Sequence, residues 1–173
     1  MFLQDYIDEV KLENPLWKSK SRIIGRAGEI FCCNCMKCIK CDSSNWLECI
    51  TNEKSKDQIC IKCNKKYQIK CKNITEKQYN NIMSSKIFKT IGAEYNTTLK
   101  SVEEKIDYII ILYDKKYKIL DILHINSDNI NCNNIIPRKK LGPNARRAGW
   151  KGCYLNFTDF NCIKSSFNTL GDK

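Results

Sequence analysis

Hydrophobic spacing divides the chain into a few elements. The opening segment, Phe2 to Glu13, predicts a helix that Pro15 ends. Ile23, Ile24, Ala27, Ile30 and Phe31 fall at i, i+1, i+4, i+7 and i+8, the spacing of one helix face, and predict a second helix from Ser19 to Phe31. Cys32 to Cys63 is rich in cysteine and follows neither period. Tyr67 to Lys72 alternates as a strand, with Tyr67, Ile69 and Cys71 on one face and Gln68, Lys70 and Lys72 on the other. Thr75 and Gln78 have capping-box spacing and predict a helix reaching about Lys89. Asp107 to Tyr113 is continuously apolar, as in a strand covered on both faces. Lys115-Lys116 predicts a hairpin turn into a strand from Tyr117 to Ile125, followed by a polar loop from Asn126 to Asn134. A stretch of Gly, Pro and cations from Pro137 to Cys153 precedes a short strand, Tyr154 to Phe157. This order predicts an α/β fold, a sheet with helices on its faces. No fixed-period repeat or long linker divides it, so residues 1–173 are expected to form a single domain.

Charge narrows the partner. Thirty Lys and Arg against 19 Asp and Glu give a net charge of +11, which favours a polyanion and makes its binding salt-dependent. No apolar run is long enough to cross a membrane, and the acidic start lacks the basic, apolar pattern of a secretory signal. A cytoplasmic protein with nucleic acid as partner and no membrane association is the expectation.

Twelve cysteines change the picture further. In a chain without an export signal they point to thiolate-bound metal rather than to disulfides. Cys38-x2-Cys41, then eighteen residues, then Cys60-x2-Cys63 has the spacing of a four-thiolate zinc knuckle. Cys32, Cys35, Cys38 and Cys41 form a ladder of CxxC units, so the upstream pair is ambiguous; Cys38 and Cys41 are favoured because Cys32 and Cys35 adjoin the second helix. A closed four-thiolate site leaves no position for substrate and is structural. The single histidine, His124, lies in an alternating run and reads as an ordinary strand residue.

Beside the thiols stand an acid, an amide and an amine. Gln68 and Lys70 project from one strand face, and Asp57 reaches the same space if it ends the preceding strand of a hairpin. Oxygen ligands with a nearby ammonium suit phosphodiester hydrolysis with Mg²⁺. In so lysine-rich a chain the same pattern also fits a solvated strand face.

These residues resemble the catalytic domain of the DpnI-like (Dam-replacing) type II restriction endonucleases. Cys38-x2-Cys41, Asp57, Cys60-x2-Cys63 and Gln68-Ile69-Lys70 keep that family's order, and Pro143 to Cys153 (PNARRAGWKGC) fits its closing motif. The resemblance covers about Ser21 to Phe157. It implies a PD-(D/E)XK nuclease core: a mixed sheet flanked by helices, with a zinc-knuckle insertion over about residues 38–63. It also implies Mg²⁺-dependent cleavage of double-stranded DNA at adenine-methylated GATC-like sites, with Mn²⁺ as an alternative ion. By position, Asp57, Gln68 and the Ile69 carbonyl would hold magnesium, Lys70 would be the catalytic lysine, and Arg146, Arg147 and Trp150 would meet DNA. Zinc would sit on Cys38, Cys41, Cys60 and Cys63.

Two departures stand out. The family's glutamate is Gln68 here, an uncharged ligand, and Glu29 on the second helix is a candidate to compensate. The short stretch after Cys153 leaves no space for the C-terminal winged-helix domain of the best-known member, so readout is expected from the core alone. A catalytically impaired binder of methylated DNA and a zinc-stabilised interaction protein remain the alternatives. A monomer in solution and a dimer on DNA are both compatible with the sequence.

Overall fold

The fold is that of a computed structural model describing residues 1–44, 46–48, 56–144 and 149–163. Helix α1 (Gln4–Glu13) starts after Phe2, whose backbone is held in a bridge to Lys118. Helix α2 (Lys20–Cys35) is opened by Ser19, whose hydroxyl accepts from the Arg22 N–H. It runs a turn beyond the expected Phe31, because Cys32 continues the buried stripe of Ile24, Ala27 and Phe31.

The main sheet has six strands in the order β1-β2-β3-β5-β6-β9. They are β1 (Trp46–Glu48), β2 (Gln58–Cys60), β3 (Lys66–Asn73), β5 (Asp107–Tyr113), β6 (Ile119–Ile125) and β9 (Asn161–Cys162). Strand β3 pairs with β5 in parallel, and the other pairings are antiparallel, so the sheet is mixed. Strand β5 is buried at all positions, as its unbroken apolar run predicts. The β5–β6 hairpin turns at the expected lysines, where the Asp114 carboxylate accepts from the N–H groups of Lys116 and Lys118.

Helices α1 and α2 cover one face, packing Phe31, Ala27 and Ile24 against Tyr67, Ile69, Ile109 and Ile111. A second layer, largely unforeseen, covers the other. Helix α3 (Glu76–Ser85) has the expected capping box but stops four residues short of Lys89, at Lys86 in the left-handed conformation. The chain then enters β4 (Phe88–Glu94), whose buried Phe88 and Thr90 alternate with exposed Lys89 and Ile91. Helix α4 (Tyr95–Glu103) follows, opened by Glu94. Strand β4 joins β8 (Gly152–Phe157) and β7 (Ile135–Pro137) in a three-stranded sheet. Its inner residues Phe88, Cys153, Leu155 and Phe157 close on Tyr108, Ile110 and Leu112 of the main sheet. The architecture is therefore a mixed α/β sheet flanked by helices, with a small sheet sharing one face. Among the described residues no helix is long and apolar enough to cross a membrane.

Candidate metal centre and active-site cleft

The four cysteines favoured from spacing come together. The Sγ atoms of Cys38, Cys41, Cys60 and Cys63 all lie within 4.8 Å of one another. Cys38 meets Cys63 at 3.5 Å, and Cys41 meets Cys60 at 3.5 Å. Zn–S bonds of about 2.3 Å in a tetrahedron require sulfur separations near ~3.8 Å, so the cluster could hold a structural metal such as zinc. Each CxxC turn is followed by an Asx residue with positive φ, Asp42 (55°) and Asn64 (55°), which lets backbone N–H groups fold back onto the Cys38 and Cys60 carbonyls. Burial opposes ionisation of Cys38, but hydrogen bonds from Tyr67 and from the Lys40 and Cys41 backbone outweigh it and bring the thiol to about 7. Burial pushes Cys63 up to about 12, so Cys38 ionises before Cys63. The ambiguity upstream is resolved: Cys32 is in the core, and Cys35 pairs with the Tyr6 hydroxyl at 3.0 Å.

The hairpin closed by these thiols leads directly to the polar constellation. Asp57 precedes β2, and its N–H donates to the Tyr67 carbonyl at 2.9 Å. This brings its carboxylate to β3, where Oδ2 accepts from the Ile69 N–H at 2.7 Å and from the Gln68 side-chain amide. The amide must face Asp57 with its nitrogen, since two oxygens in such contact would repel. Gln68 is thus a donor to Asp57, and its carbonyl oxygen is the atom it can offer a cation.

Asp57, Ile69, Lys70 and Glu29 line one cleft of about 770 Å³, walled by α2 on one side and by Tyr113 and Tyr117 on the other. Glu29 reaches it from α2 and is ion-paired with Arg26 at 3.1 Å. Two contacts set that helix against the strands. Gln58, fully buried beside Asp57, donates to the Glu29 carbonyl at 2.6 Å. Gly28 gives the closest approach: a Cβ there would stand 2.2 Å from Cys71 Sγ. Cys71 lines the same cleft. Burial raises its thiol to about 12, with Glu29 and Asp57 pushing the same way against Lys70, so it stays neutral.

Neither Gln58 nor Gly28 stood out in the sequence. The only available signal for Gly28 was a glycine within the apolar stripe of a helix, which marks close packing. His124 is a buried strand residue, as expected, but it belongs to an ion group. Its Nε2 lies 2.8 Å from Asp107, which also holds Lys65 at 2.6 Å and the Ser127 N–H at 2.8 Å.

The described residues of the basic stretch extend the β7–β8 pairing. Beyond β7, Arg138 donates its N–H to the Gly152 carbonyl and Leu141 to the Trp150 carbonyl. Trp150 is half-buried on this arm, while Arg146 and Arg147 lie outside the described residues.

A profile of the DpnI, Dam-replacing, family matches residues 9–164. That span contains the thiolate cluster, the cleft-lining residues of α2 and β3, and the basic stretch. With most of its length matched, the chain belongs to the DpnI (Dam-replacing) family.

Proposed function

We propose that the protein is a divalent-metal-dependent endonuclease that hydrolyses phosphodiester bonds of adenine-methylated double-stranded DNA at GATC-like sites. The observation that carries this is the convergence of Asp57, Glu29 and Lys70 on one cleft in a member of this family. The donors that line it are the carboxylates of Asp57 and Glu29 and the Ile69 carbonyl, with the Gln68 amide oxygen on the adjoining residue, bonded to Asp57. All are hard oxygens, which suit Mg²⁺ or Mn²⁺. When bound, the ion supplies Lewis-acid polarisation of the scissile phosphate and a more acidic water.

The chain's own residues do the rest. The Ile69 N–H and the Gln68 amide occupy Oδ2 of Asp57 and fix the carboxylate's orientation, leaving Oδ1 to a cation. Lys70 brings a positive charge to the same cleft, where its ammonium neutralises charge developing on phosphate oxygens. Neutral Cys71 adds no anion to repel the DNA. Zinc on the four cysteines is structural in this reading and pins the β2–β3 hairpin that carries the site. Residues 1–173 then act as one nuclease domain with residues 38–63 as its insertion. Such thiolates persist in a reducing cytoplasm. With one such cleft among the described residues, a double-strand cut takes two chains on the DNA or two successive events by a monomer.

Incubation of methylated and unmethylated plasmid with Mg²⁺ or Mn²⁺ tests the reading. Wild type cuts methylated DNA, and Asp57→Ala or Lys70→Ala lowers the rate by about 10²–10³-fold or more while DNA binding persists. A wild type that binds methylated DNA without cutting it favours a second reading, that of an impaired methyl-DNA binder. The observation on its side is Gln68, which brings no charge to the cation.

A further inference from the structure

The outer face of the three-stranded sheet carries a row of side chains that the cleft does not use. Ile91 of β4, Tyr154 of β8 and Ile136 of β7 are direct cross-strand neighbours. All three are about half exposed, at 51%, 44% and 46%. Large apolar side chains aligned and open across three strands signal a contact surface rather than chance exposure. The Arg138 guanidinium lies 5.0 Å from the Tyr154 ring centroid, a cation–π contact that backs the ring.

Two further observations identify what lies against this face. The first is charge. A shallow groove of about 400 Å³ here is lined by Lys72 and Lys89 with Ile91, Ile136 and Tyr154, and no carboxylate is among its lining residues. Lys72 stands two residues beyond Lys70 on the same face of β3, so the cations run from the cleft into the groove. The second is continuity with the basic stretch. A Cβ on Gly152 would sit 2.6 Å from Cζ3 and 2.7 Å from Cη2 of Trp150, so the indole's six-membered ring occupies the space that a side chain here would fill. Residues 152 and 154 share a strand face, so Trp150 and Tyr154 stand on the same surface.

We propose that this outer face is a second DNA-contact surface, with Tyr154, Arg138 and Lys89 as contact residues and Gly152 as the positioning residue that seats Trp150. This rests on the DNA-nuclease reading above. Rings backed by cations pack against the sugars of a duplex, and the lysines take phosphates.

The test measures binding of the full chain to a short duplex carrying N6-methyladenine in GATC, without added divalent metal so that no cutting occurs, across a range of salt. Tyr154→Ala is expected to weaken binding about tenfold with the salt slope unchanged. Arg138→Ala and Lys89→Ala each weaken binding and flatten the slope by about one. Lys77→Ala on α3 changes neither. Gly152→Ala displaces the Trp150 indole and is expected to weaken binding severalfold with the salt slope unchanged, since no charge is removed. If wild type binds the duplex and the Tyr154, Arg138 and Lys89 variants bind equally well, this face is overturned and the nuclease reading stands. If wild type binds no duplex even at low salt, the nuclease reading fails first and takes this one with it. If Tyr154→Ala converts a dimer to a monomer by light scattering without altering affinity per chain, the face is for self-association and the DNA assignment falls.

Discussion

The thiolate cluster and the oxygen cleft adjoin one hairpin, yet they are built in opposite ways. The cluster is local and closed: two tight turns bring four soft ligands together, and the surrounding backbone bonds stay within a few residues of each cysteine. The cleft is non-local and open. It takes Glu29 from α2, Asp57 from the start of β2 and Lys70 from β3, set against one another through the Gln58 bond and the bare surface of Gly28. The difference teaches that a metal on the first site would carry stability on which the second depends. A closed tetrahedron contributes its binding energy to folding. An open cleft keeps ligand positions free and relies on neighbouring packing for its aim.

Removing the metal from the cluster breaks this comparison most severely. Structural zinc contributes on the order of 10 kcal/mol in small zinc modules. Cys60→Ser, or exhaustive chelation, is therefore expected to lower the melting temperature by about 10 °C or more and to abolish cutting along with it. Elemental analysis of the wild type should return about one zinc per chain. A metal-free protein that melts normally would show that the thiols need no ion.

Next in size is Asp107, which anchors the cluster end of β3 through Lys65. Removing one partner from a buried ion group costs about 3–5 kcal/mol, so Asp107→Ala should lose that much in urea unfolding. Burial opposes ionisation of Asp107, but His124, Lys65 and the Ser127 N–H outweigh it and hold the acid below its ordinary value. A carboxyl whose folded value is depressed stabilises fully above its unfolded pKa of about 3.9 and loses that contribution as pH falls through the lower folded value. The wild type should therefore weaken on acidification below about pH 4, with a shallower acid limb in Asp107→Asn.

Gly28→Ala probes the cleft alone. The added methyl collides with Cys71 Sγ, and overpacking of this kind costs about 1–3 kcal/mol. Because Glu29 is the next residue, the change should raise the Mg²⁺ needed for half-maximal cutting while zinc content stays at wild-type level.

The smallest effect sharpens the contrast. Gln68→Glu replaces the donor on Asp57 with a second carboxylate, and the two acids then repel unless a cation lies between them. Mg²⁺ affinity is expected to rise about tenfold, equivalent to roughly 1.4 kcal/mol, with activity kept or increased. Isothermal titration with Mg²⁺ reads this directly, and weaker binding in the variant would mean that the amide itself is the better ligand.

What the sequence revealed follows the same division. The clustering of Cys38, Cys41, Cys60 and Cys63 was legible because two-residue gaps dictate local turns. The strand faces of β3 were legible from strict alternation, and with them the shared side of Gln68 and Lys70. The three-stranded sheet was not. Phe88 to Glu94 follows a capping box without an intervening Gly or Pro, so the helical signal overran into β4, and α4 carries too few apolar residues to declare itself. Gln58 was hidden because its work is a single bond to the main chain of a distant helix. The donor role of Gln68 was invisible for a similar reason: spacing says which residues meet, not which atom of an amide turns toward an acid.

Strand β5 has a consequence of its own. Being apolar on both faces, it would accept its parallel neighbour equally well one residue out of step. Such a slip would swing Lys70 and Gln68 beneath α2 and expose Tyr67 and Ile69 in their place. The loss of Tyr67 and Ile69 from the core beneath α2 opposes it, and the strand's ends add to that restraint. At one end Asp107 grips Lys65 and His124, and at the other the Tyr113 carbonyl takes the Ile74 N–H at 2.9 Å. The chain's lone imidazole, bonded to Asp107, thus braces the very acid that pegs β5 to the start of β3 through Lys65.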